Sequence, residues 1–186
     1  MTIKIKLTEL LAQNLKFPES TNLQQRGIAD KIEDACNEII KANFENVKPP
    51  RSRKSTEDIS IGDTYIDHKT SDESLDFKMP NLISVDTLRK LDHELIYNFV
   101  VYNSAKREIV KTFALSLYEL NWDHLAIQNL GTGQLQIKNM KAFLESPVSS
   151  MTKEQWRAKL QEQVVAFYEK LMTKTKKRQD QWQYWN

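Results

Sequence analysis

Cysteine is almost missing from this chain: Cys36 is the single one in 186 residues. One thiol cannot build an internal disulfide framework or a cysteine-rich zinc site. Its apolar, helix-like neighbours mark it as a small core residue rather than a reactive thiol. Histidine is scarce too, and His68, His93 and His124 share no spacing that suggests a metal site. Gly131-Thr132-Gly133 lacks the rest of a dinucleotide fingerprint and reads as a turn, so no organic cofactor is expected. No segment approaches the roughly 20 apolar residues that span a bilayer. The opening Met1-Thr2-Ile3-Lys4-Ile5-Lys6 lacks the apolar run of a secretory leader. A soluble, cytoplasmic protein without membrane contact is expected. A dominant charge is also lacking, since the formal net charge is +2. Any site for a polyanion must come from local clustering of bases.

What is present suits one ordinary domain. Hydrophobic residues make up 40% and charged residues 28%, which argues against wholesale disorder. We expect a single domain over 1–186, with an N-terminal arm over 1–24, a core over 25–180 and an aromatic tail over 181–186. A short helix is expected over 7–15, ended by Phe17-Pro18 because proline lacks the amide proton. Ile28, Ile32, Ala35, Cys36, Ile39 and Ile40 recur at helical spacing and predict a helix over 27–42. A loop rich in proline and base follows over 48–57. Strands over 58–61 and 64–70 flank Gly62-Asp63, a two-residue hairpin signal. A polar loop over 71–78 leads to Pro80-Asn81. Ser84 can cap a short helix reaching about Leu91, with Asp86 favourable in its first turn. Strands are expected over 95–102 and 111–120, and a second hairpin over 125–130 and 134–138. Thr152 and Gln155 form a capping-box pattern for a long helix over 152–179. Trp156, Leu160, Val164, Phe167 and Leu171 make its apolar stripe. The order predicts an α+β fold, a central mixed sheet flanked by helices.

The chemistry concentrates in the first hairpin. On a strand, Asp67 and Lys69 point to one face, about 6.6–6.8 Å apart, while Ile66 and His68 point to the other. If the two strands pair, Asp58 converges on Asp67 from the neighbouring strand. Two adjacent carboxylates form a hard oxygen site suited to Mg2+. Without a cation they repel, and one of them protonates. Lys69 beside them can position a nucleophilic water or neutralise charge at a phosphate. Asp63, in the turn, is the rival for the first carboxylate. The bland alternative is an exposed Asp–Lys pair on a hairpin, worth little energetically.

Thr56-Glu57-Asp58-Ile59-Ser60-Ile61, then Asp67-His68-Lys69-Thr70, then Pro80-Asn81-Leu82-Ile83-Ser84 together resemble the catalytic core of type II restriction endonucleases. The likeness is to the HincII and EcoRV branch of the PD-(D/E)XK superfamily, and it covers about 30 residues, Thr56 to Ser84. The resemblance implies a restriction-endonuclease-like core, metal ligands at Asp58 and Asp67, a catalytic lysine at Lys69 and Mg2+ as cofactor. Many members also place a glutamate of the first helix near the site, which points to Glu33.

The same resemblance places DNA reading in the stretch 71–84. Asn81 could make paired hydrogen bonds to an adenine edge, and Lys78 could contact a guanine or a phosphate. Phosphate contacts are expected from Arg51, Arg53 and Lys54 before the hairpin, and from Lys176, Lys177 and Arg178 in the basic end of the last helix. A palindromic site would require a two-fold protein, so a homodimer on double-stranded DNA is expected. The competing readings are a repair, nicking or phage-type nuclease with the same core, and a catalytically silent DNA-binding protein.

Overall fold

The computed structural model describes residues 2–19, 25–52, 56–74, 80–128 and 133–183. It is an α+β protein with a mixed central sheet flanked by helices. Helix α1 (Ile3–Asn14) starts on a Thr2 cap. It buries Leu7 and Leu11 completely, so the stretch set apart as an arm carries core residues. Helix α2 (Gln25–Asn43) covers the predicted helix and extends slightly beyond both ends. Strand β1 (Val47–Lys48) pairs with β2 (Ile59–Ile61), and β2 pairs antiparallel with β3 (Thr64–Asp72). Gly62 has φ +57°, which glycine accepts without a Cβ penalty at the first central position of a tight hairpin.

Strand β4 (Asn81–Ser84) and helix α3 (Val85–Arg89) follow, and Ser84 caps α3 as its sequence position suggests. The chain then enters β5 (Glu94–Asn103), which lies parallel to β3, and returns along β6 (Glu108–Ser116). The large sheet has the order β1-β2-β3-β5-β6. A second, antiparallel sheet has the order β4-β8-β7, with β7 Leu125–Gln128 and β8 Gln134–Ile137. The expected polar loop over 71–78 begins later, since β3 runs to Asp72, and Asn81–Ser84, for which no strand was expected, is a strand held by β8. Strand β6 also differs from the expected 111–120. Ser116 and Glu119 form a capping box that ends it in a 3-10 turn, Leu117–Glu119. The short helix α4 (Met140–Glu145) has no counterpart among the predicted elements. Helix α5 (Lys153–Gln183) carries the reciprocal Thr152–Gln155 box at its start.

Alternation along β5 explains the layering. Leu95, Tyr97, Phe99 and Val101 join one core with the second sheet, α4 and Trp156 of α5. Ile96, Val100 and Tyr102 join another core with α1 and α2. A strand covered on both faces reads as a continuous apolar run, and this one is buried from Leu95 onward. Gly133 shows the closeness of the second layer. Its φ is +99°, and a Cβ there would sit 3.1 Å from the Phe167 ring.

Candidate active site

Strand β2 is short, and that shapes the site. It covers β3 only as far as Ile66, so from Asp67 onward the described ladder of β3 has β5 on one side alone. Asp58 stands at this open end. Its backbone N–H donates to the Ile66 carbonyl at 2.9 Å. Its Oδ2 accepts from the His68 backbone N–H at 2.6 Å, taking the place of the next rung. A residue's N–H and C=O point to the same side of a strand, so the His68 carbonyl faces this open end too.

Asp67 and Lys69 share a face, as alternation requires. Lys69 Nζ donates to Asp67 Oδ1 at 2.7 Å and approaches Oδ2 at 2.6 Å. Burial pushes the Asp67 carboxyl up to about 7; Lys69 pulls it down, and the charge of Asp58 raises it. Glu33 comes from α2 on the side of β3 that carries His68 and Thr70, where Thr70 Oγ1 donates to its Oε1 at 3.5 Å. Burial, and then the charge of Asp58, push Glu33 up to about 7 as well, against the pull of Lys69. Asp58, at the lead-in to β2, and Lys69, on β3, thus each act on both Asp67 and Glu33. Asp63 is not among them: it is exposed in the turn, and Asp58 is the carboxylate beside Asp67.

No protein-family model and no curated protein matches this chain. The chemistry of the site rests on its own geometry. Among the described residues, no group of three or more His, Cys, Asp or Glu side chains is arranged to hold a metal ion. A cation here would be held by the two carboxylates together with backbone or water oxygens. That is a donor set Mg2+ accepts, because it keeps several of its waters. The raised Asp67 and Glu33 carboxyls fit this chemistry: added positive charge would relieve what now favours their protonated forms.

The remaining expected residues are scattered. Lys78, Arg53 and Lys54 lie outside the described residues. Arg51 Nε donates to the buried Glu57 at 3.2 Å, and its guanidinium lies 5.0 Å from the Tyr65 ring. Asn81 Oδ1 accepts from Gln136 Nε2 at 2.8 Å, which leaves that oxygen one further lone pair. Lys176, Lys177 and Arg178 are exposed near the end of α5.

Sequence reasoning missed a buried polar layer behind the site. His68 Nε2 meets Asn37 Oδ1 at 3.1 Å, and Nδ1 meets Asn98 Nδ2 at 2.9 Å. These bonds assign the proton to Nε2, with Nδ1 accepting from Asn98. They tie α2 to β3 and β5 directly behind Asp67 and Lys69. Burial lowers His68 to about 4, so the ring is neutral. The one available signal was Asn98, a lone amide inside an apolar strand. Tyr97 was missed as well. It pairs in register with Asp67 and is fully buried, and its hydroxyl has no hydrogen-bond partner among the described residues.

These shifts set a pH dependence. Asp67 and Glu33 hold protons in the folded protein up to about pH 7 and release them near 4 when unfolded. The folded state therefore binds more protons across that interval, and metal-free stability falls as pH rises through it. His68 acts oppositely between about 4 and 6.5. The fall is then cleanest between about pH 6 and 8. Thermal unfolding at stepped pH should show it, and Asp67→Asn should reduce it by about half, leaving the part due to Glu33.

Proposed function

We propose that this chain is a Mg2+-dependent endonuclease with a PD-(D/E)XK core, acting on double-stranded DNA as a type II restriction enzyme does. The observation that carries the reading is the meeting of Asp58, Asp67 and Lys69 at the open end of β2, with Glu33 of α2 near enough for the charges of Asp58 and Lys69 to act on it. Asp58 and Asp67 would hold the ion. When bound, it supplies charge stabilisation at the phosphoryl oxygens and a more acidic water. Lys69 Nζ, a donor on the face of Asp67, positions the nucleophilic water or offsets charge on a non-bridging oxygen. Glu33, with a proton affinity near 7, can accept the proton that the attacking water gives up. The His68 layer fixes the strand that carries Asp67 and Lys69. Arg51 and the basic end of α5 supply phosphate contacts, which set affinity rather than sequence. A palindromic site calls for two copies, each cutting one strand.

Incubation with a plasmid of known sequence and Mg2+ tests the reading. Discrete fragments of constant size are expected. A smear or nicked circles would favour a repair or phage-type nuclease with the same core. Intact plasmid across Mg2+, Mn2+ and Co2+ would favour a silent DNA-binding protein.

A further inference from the structure

Helix α5 has two unlike sides. Trp156, Leu160 and Phe167 face the body of the protein. Every residue from Met172 to Gln183 is exposed, about 18 Å of helix at 1.5 Å per residue. An exposed helical stretch of that length is marginal in water without tertiary contact. The outward side carries a second pattern. From Ala158 to Trp182, positions alternating three and four residues apart hold no charged side chain, although charges occur all along the helix. That is the spacing of a coiled-coil seam, with Ala158, Val165, Tyr168, Met172 and Trp182 as its apolar members and Gln161, Thr175 and Gln179 as its polar ones. Val165 is 51% exposed on it, Met172 64% and Trp182 67%.

We infer that this seam is the docking surface for a second copy of the chain, with the two α5 helices antiparallel. Folded back on itself about Lys170, the seam matches layer by layer. Ala158 meets Trp182, small against large. Gln161 meets Gln179, amide against amide. Val165 meets Thr175, and Tyr168 meets Met172, a ring against a thioether. The flanking charges agree. On the edge beside the seam, Glu162 lies in the first half of the helix, Lys176 in the second and Glu169 at the centre. Antiparallel pairing brings Glu162 of each helix beside Lys176 of the other. A two-fold axis makes the contact isologous, each patch serving both partners. Lys176 and Arg178 then flank the protein–protein contact on its two edges, while Lys177 stays on the outer side. The seam stands on α5 alone and gives a surface to the dimer that a palindromic site requires. Its test reads mass and cross-linking, so it can fail while DNA cleavage stands, and the reverse.

Light scattering on the full chain at tens of micromolar should give the mass of two chains of 21.8 kDa. The double variant Val165→Glu/Met172→Glu should give the mass of one, with helical circular dichroism retained. Gln181→Glu, off the seam, should stay dimeric. Val165→Cys and Thr175→Cys should form an interchain disulfide when mixed and not when oxidised separately. A single-chain mass for the wild type would overturn the inference, including the case in which reversing the α5 charges weakens DNA retention. So would a dimeric double variant, or Val165→Cys linking to itself.

Discussion

Lys69→Ala should lower the rate of DNA cleavage by about a hundred- to a thousandfold, the range that removal of a group stabilising transition-state charge produces. DNA retention should change by no more than about threefold, since one phosphate-neutralising group is a small part of the total. The lysine is the donor aimed across Asp67, at 2.6–2.7 Å, and α2 contributes an acid here rather than a base. Its loss also leaves the buried Asp67 without its partner, which raises the Asp67 proton affinity further and makes the site harder to charge. Activity in the variant should therefore rise with pH more steeply than in the wild type. Single-turnover cleavage at saturating Mg2+ and several pH values reads both effects. A variant that cuts at the wild-type rate would remove Lys69 from the chemistry.

Trp156→Ala should cost about 3–5 kcal/mol of stability, a large share of the 5–15 kcal/mol typical of a domain. Trp156 is fully buried. Its indole Nε1 donates to the Leu120 carbonyl at 2.9 Å, and its own carbonyl accepts from Trp122 Nε1 at 3.3 Å. The Tyr118 ring meets it edge-on at 5.4 Å. The residue thus fastens α5 to the turn after β6, and alanine would leave both a cavity and an unmatched carbonyl. Trp156→Phe should cost less, since most of the ring volume remains. Denaturant midpoints measure both; a loss below about 1 kcal/mol for alanine would mean that α5 is held elsewhere.

The parts of this protein that could be read from sequence are those set by neighbours along the chain. The β2–β3 hairpin is one, because Gly62-Asp63 and the alternation of Ile66 with Asp67 are local signals. The Ser84 and Thr152 caps are two more. The choice of Asp58 over Asp63 waited on register, since one residue of slip would send Asp58 to the opposite face. Strand β4 was not legible. Pro80-Asn81 looks like a turn, and the strand exists because β8, some fifty residues later, pairs with it. The end of β6 was hidden for another reason. Phe113, Leu115 and Leu117 keep alternating through Ser116, and the turn built on Glu119 still points Leu117 into the core. Asn37, His68 and Asn98 come from three elements, and nothing in their spacing announces that they meet.

The central claim is that Asp58 and Asp67 form a cation-dependent centre for phosphodiester hydrolysis. The most direct test follows cleavage of linear double-stranded DNA over time by the wild type and by Asp67→Asn, each with Mg2+ and with chelator. The account predicts cleavage by the wild type with Mg2+ and none in the other three samples. Cleavage by Asp67→Asn at the wild-type rate, or wild-type cleavage that survives the chelator, would contradict it.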